Sequence, residues 1–164
     1  MLILGIDPGT AIMGYGLIKK EGQRLIPVAY SSWRTSSDIP MSQRLKKLYD
    51  SINELIREYS PDVMAIEELF FNRNTTTALA VGQARGIVLL SAAENNINIY
   101  EYTPLQVKQA VVGYGKADKK QVQFMVKALL SLKEDPKPDD TADALAVAIC
   151  HAYNMGQPFG GSRK

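Results

Sequence analysis

The chain has 164 residues, 46% of them hydrophobic, which suffices for one domain with a proper core and is too short for two large lobes. Charged residues make up 22% and the formal net charge is only +2, so bulk charge does not mark a nucleic-acid binder and any such role must rest on local patches. The single cysteine, Cys150, lacks a partner for a bridge or a thiolate metal site, no apolar run nears the roughly 20 residues of a membrane span, and the N-terminus lacks the order of a signal peptide; a reduced, cytoplasmic setting is expected.

Leu2 to Ile6 is an apolar run that halts at Asp7-Pro8-Gly9-Thr10. Gly14 to Lys19 and Leu25 to Trp33, separated by Glu21-Gly22, read as two further strands, so the chain opens as an antiparallel meander. Over Met41 to Tyr59 the period changes: Leu45, Leu48, Ile52, Leu55, Ile56 and Tyr59 recur at helical spacing until Ser60-Pro61 ends the helix. Val63 to Ile66 has the compact apolar character of a strand covered on both faces, and Thr75 to Ala93 is a long apolar helix without proline. A fifth strand over Ile97 to Tyr102 leads to helices near Pro104 to Val112, Asp118 to Leu130 and Asp140 to Tyr153. The order predicts an α/β fold, a five-stranded mixed sheet flanked by helices on both faces, compatible with the ribonuclease H-like architecture. Residues 1–155 form a single domain in this reading, and 156–164, with three Gly, one Pro and little to bury, is expected as a loose tail.

Asp7 and Glu67 stand where the first and fourth strands run out, each behind an apolar run. In open α/β sheets the functional crevice lies beyond the carboxyl ends of the strands, so two parallel neighbours would place both acids at one crevice; the alternative for either alone is a strand-end acid in solvent. Asp140 and Asp143 are three apart at the start of a helix, hence on one face. Helix capping accounts for Asp139 and partly for Asp140. It does not account for Asp143, which lies deeper, beside the apolar run Ala144 to Ile149. Clustered, partly buried carboxylates raise one another's pKa and need a compensating cation. An all-oxygen set favours Mg²⁺, with Mn²⁺ able to substitute, and a pair of such ions about 3.5 to 4 Å apart suits in-line phosphodiester hydrolysis.

Several blocks in order make a family comparison specific: Gly5-Ile6-Asp7-Pro8-Gly9-Thr10 with Gly14-Tyr15-Gly16, Ala65-Ile66-Glu67-Glu68-Leu69-Phe70, Gly82-Gln83-Ala84-Arg85-Gly86, Gln106-Val107-Lys108-Gln109 with Val112-Gly113, and Asp140-Thr141-Ala142-Asp143-Ala144-Leu145-Ala146. From about residue 2 to residue 155 they closely resemble the RuvC family of bacterial Holliday junction resolvases. The resemblance implies a homodimeric, Mg²⁺-dependent endonuclease of ribonuclease H-like fold, with two ions per subunit. It would make paired symmetric nicks across four-way junction DNA, leave ends that can be ligated, act in recombination and repair, and cooperate with a branch-migration complex. The family's four acids fall on Asp7, Glu67, Asp140 and Asp143, as both catalytic residues and metal ligands; some relatives carry His at the position of Asp140. Glu68, where some relatives have Gln, adds an acid that strand alternation would point away from Glu67.

Lys108 and Lys119 match basic residues that in the family contact DNA near the cleft, and Lys116 and Lys120 crowd the same segment. Phosphate neutralisation by such lysines would make binding salt-dependent; for Lys120, Lys46 and Lys47 a solvated surface is the simpler reading. Phe70, Phe71 and Arg73 follow Glu67 closely, where the aromatics would stack on bases unpaired at a junction centre and Arg73 would meet phosphate; core packing is the alternative for the two phenylalanines. Gly82 and Gly86 would admit another helix, from a second subunit or from the same chain. His151, near the end of the last helix where a cation suits the dipole, reads as structural. Two other classes compete. An actin-like ATP-binding domain would use Asp7-Pro8-Gly9-Thr10 as a phosphate loop but needs a second lobe; a non-cleaving junction-binding module gains nothing from acids that face phosphates.

Overall fold

The computed structural model describes residues 1–68 and 75–154. Phe70, Phe71, Arg73 and the 156–164 tail lie outside the described residues. The elements are β1 (Leu2–Asp7), β2 (Ile12–Glu21), β3 (Arg24–Arg34), α1 (Met41–Tyr59), β4 (Val63–Glu67), α2 (Thr75–Glu94), β5 (Asn98–Tyr102), α3 (Pro104–Val112), α4 (Lys119–Leu129) and α5 (Asp139–Asn154).

The expected order of strands and helices is present. The hairpin strands are longer than their apolar runs, because Gly22 turns in the left-handed region at φ 59° and lets pairing continue to Glu21 opposite Arg24. Polar residues there cost nothing, since ladder hydrogen bonds do not depend on side-chain character. Asp118, expected inside its helix, is the cap: its carboxylate accepts from the Gln121 N–H at 2.9 Å, and the Gln121 side chain accepts from the Asp118 N–H.

Strand order is β3-β2-β1-β4-β5. The first three strands pair antiparallel, while β1 with β4 and β4 with β5 are parallel, giving the mixed sheet. Period-2 alternation divides the core. Leu4, Ile6, Met64 and Ile66 point to one face, where they pack with Leu48, Ile52, Leu55 and Ile56 of α1 and Ala84, Val88 and Ala92 of α2. Ile3, Val63 and Ala65 point to the other, against α3, α4 and above all α5, whose residues Ala144 to Ala152 are buried throughout.

On that second face Gly16, Gly5 and Ala65 are register neighbours, a row with almost no side chain. The α5 backbone lies in the trough it leaves. A Cβ at Gly5 would stand 2.1 Å from the Ala144 carbonyl oxygen, and one at Gly14 would stand 1.9 Å from that of Asp140. These two glycines set how closely the acid-bearing helix approaches β1.

Candidate active site

β1 and β4 run parallel in register, Ile6 opposite Ile66, so the residues that follow, Asp7 and Glu67, leave the sheet side by side. Both continue the set of odd-numbered positions that faces α5. Asp7 pairs with Gly14, the residue that lets the start of α5 descend. Sequence order separates Asp7, Glu67 and Asp143 widely, yet together with Lys108 they line one cavity of about 70 Å³, floored by Ile6, Val107, Val122 and Val147. Asp140 stands just outside, in an open hollow with Arg34, Lys137, Pro138 and Asp139.

The convergence has electrostatic consequences. Burial pushes the Asp7 carboxyl up to about 7, and the neighbouring charges of Asp143, Asp140 and Glu67 push in the same direction while Lys119 opposes them. Glu67 is raised by burial and then by Asp143, with Lys108 pulling it back. Asp143 is raised by burial against the pull of Lys119. Such carboxylates are held in their charged form only at a cost, and a cation among them relieves it.

In this arrangement the relief comes from a lysine. Lys119 Nζ lies 3.2 Å from Asp143 Oδ2 and 3.3 Å from Asp139 Oδ2. Burial works against its charge, but Asp143 and Asp139 outweigh that effect and hold its pKa above the usual range. Among the described residues no three Asp, Glu, His or Cys side chains are gathered closely enough to grip a metal ion. The chemistry of the donors nevertheless fits a hard divalent ion: the cavity acids offer oxygen alone, repel one another, and among the described residues are offset only by Lys119 and Lys108.

Of the other expected site residues, Lys108 lines the cavity, whereas Lys116 is exposed on the segment between α3 and α4 and does not. Glu68 is exposed; its N–H donates to the Tyr102 carbonyl at 2.8 Å, extending the β4–β5 ladder. Among the described residues a Cβ at Gly82 or Gly86 would meet nothing within 4 Å, so no packing within those residues accounts for them.

Three features escaped the sequence reading. Arg85 of α2 donates from Nη1 to the Glu67 carbonyl at 2.8 Å and pairs through Nη2 with Glu101 at 2.6 Å, bracing the end of β4; its place in the Gly82 to Gly86 block was the only signal. Tyr102, buried at the end of β5, meets His151 Nδ1 at 2.7 Å. His151 is structural as expected, but burial and Lys20 bring its pKa down to about 4, so it is neutral and not the cation of the helix end. That cation is Lys20, whose ammonium donates to the Ala152 carbonyl.

The family model described as crossover junction endodeoxyribonuclease RuvC matches residues 3–151. The chain belongs to the RuvC family. A RuvC from Desulfitobacterium hafniense is 68% identical over 164 residues, covering 99% of both chains, and one from Desulforamulus reducens is 64% identical over 164 residues, covering 100% of both. Among solved structures, Thermus thermophilus RuvC in complex with Holliday junction substrate superposes with a TM-score of 0.88 at 38% identity, covering 93% of each chain. The yeast mitochondrial Holliday junction resolvase shares the fold at a TM-score of 0.66 and 17% identity, covering 92% of this chain and 77% of that one. The ribonuclease H-like mixed sheet expected from element order is therefore the fold of this chain.

Proposed function

We propose that this chain is a crossover junction endodeoxyribonuclease that resolves four-way DNA junctions by paired, symmetric phosphodiester cleavage with the help of divalent cations, in recombination and repair. The observation that carries this reading is the convergence of Asp7, Glu67 and Asp143 on one cavity, with Asp140 at its edge, in a chain of the RuvC family. Asp7, Glu67, Asp143 and Asp140 would hold Mg²⁺, or Mn²⁺ in its place, as two ions per subunit. Bound there, the ions supply the positive charge that activates water and the scissile phosphate.

The chain's own side chains do the rest. The carboxylates at the ends of β1 and β4 would hold the cations, and Arg85 braces the end of β4 through the Glu67 carbonyl. Lys108 at the cavity wall and Lys119 at its mouth neutralise the incoming phosphate, and the apolar floor limits water. Lys116 would add a phosphate contact farther out, and Phe70, Phe71 and Arg73 would engage bases and backbone at the junction centre.

Paired cuts need two sites, which a twofold homodimer supplies. A surface suited to it exists on α2. This helix buries Ala84, Val88 and Ala92 on the sheet side and leaves Leu79, Gly86, Leu89 and Leu90 exposed at helical spacing on the other. No helix among the described residues is long and apolar enough to cross a membrane, and we place the protein in the cytoplasm, working beside a branch-migration complex.

The test is nicking of a synthetic four-way junction with and without Mg²⁺. Glu67→Gln is expected to bind the junction at near wild-type affinity and fail to nick it. Wild-type nicking by that variant would remove Glu67 from the mechanism.

A further inference from the structure

Asp139 is the acid that the cluster leaves over. It opens α5, its side chain is 63% exposed, and it faces the outer hollow and not the cavity. Two groups hold it from α4. Gln123 Nε2 donates to Asp139 Oδ1 at 2.9 Å, and Lys119 Nζ lies 3.3 Å from Asp139 Oδ2. Lys119 and Gln123 are one helical turn apart on the same face, so a single carboxylate on α5 receives both. The same Lys119 ammonium lies 3.2 Å from Asp143, which does line the cavity. The lysine is thus shared between one carboxylate inside the site and one outside it.

A divalent ion on Asp143 and an ammonium beside it repel each other, so the lysine must yield when the ion arrives. We propose that Asp139, fixed by Gln123, is a positioning residue that takes over the Lys119 ammonium when Asp143 turns to a divalent cation. The lysine then stays at the mouth of the cavity, where phosphate enters, instead of remaining on Asp143 or swinging into solvent. This rests on the reading of the cavity acids as cation ligands. A carboxylate that merely stabilised the first turn of α5 through the helix dipole would act regardless of Lys119, and that difference can be measured.

The experiment is a double-mutant cycle in Mn²⁺ affinity, read by electron paramagnetic resonance of free Mn²⁺ on the full chain without DNA, with circular dichroism to verify folding. Asp139→Asn is expected to weaken Mn²⁺ binding about threefold when Lys119 is present, and to change it by less than about 1.3-fold in the Lys119→Met background. Asp139→Glu restores the wild-type value. An equal loss in both backgrounds, or no loss in either, overturns the proposal. Absence of Mn²⁺ binding by the wild type, matching Asp7→Asn, overturns instead the cation-binding reading on which it stands.

Discussion

The two ends of α5 bury ionisable groups in the same sheet face and treat them differently. At the N-terminal end Asp143 and Asp7 are withdrawn from water beside other carboxylates, and both are pushed up in pKa by burial and by like charge. At the C-terminal end His151 and Tyr102 are withdrawn further, 4% and 1% exposed, but each is a neutral group with the other as hydrogen-bond partner. Burial with a partner contributes stability, whereas burial of like charges leaves a demand for counter-charge, which Lys119 meets in part. Under the proposed function, the contrast would place the chemistry at one end of this helix and packing at the other.

The strongest way to break the contrast is to lift the helix off the sheet. Gly5→Ala places a methyl group against the Ala144 carbonyl oxygen, a backbone atom that cannot turn aside. The expected cost is about 3 kcal/mol in chemical denaturation, with nicking lost in whatever remains folded because the acids no longer meet.

A smaller effect sharpens the comparison through pH. The folded pKa of Asp7 lies near 7 against an ordinary 3.8, so between those values the folded chain binds a proton that the unfolded chain has released. Metal-free stability therefore falls as pH rises through that window, and Glu67 and Asp143 act in the same direction. His151 works oppositely: with its folded pKa near 4 against 6.5, its contribution is present above 6.5 and is lost as pH falls toward 4. Asp7→Asn should raise metal-free stability at pH 8 by about 2 kcal/mol and flatten the neutral limb of a melting-temperature profile while leaving the acid limb unchanged. A variant no more stable than wild type there would show that the cluster stores no repulsion.

The smallest effect belongs to the other end. Tyr102→Phe removes the hydroxyl from His151 and is expected to cost about 1 kcal/mol in thermal unfolding, with the nicking rate per folded molecule unchanged. A selective loss of rate would tie this pair to the site.

Much of this was legible in the residues. Apolar runs of strand and helix period gave the order of elements, and two acids behind pure apolar runs pointed to strand ends at one crevice. Parity did the rest for Glu68, which alternation turns away from Glu67 and which is exposed. What stayed hidden depends on partners distant in sequence. Lys119 read as a DNA contact, and nothing in its own segment signals that it bridges Asp143 and Asp139 some twenty residues on. Spacing to Asp143 already favoured Asp140 over Asp139 as the cluster acid; what the residues did not signal is that Asp139 meets Lys119 and Gln123 while Asp140 adds its charge to Asp7 and Asp143.

By itself the sequence determined which elements form, their order, and the family to which the chain belongs, because periodicity, turns and motif spacing are local properties of the chain. Only the tertiary structure decided that Gly5, Gly14 and Gly16 make room for α5, that Lys20 and not His151 is the cation at its end, and that a lysine stands in the place of counter-charge among the acids. Burial and electrostatic coupling depend on distance in space, and that distance is set when the helix settles into the glycine trough.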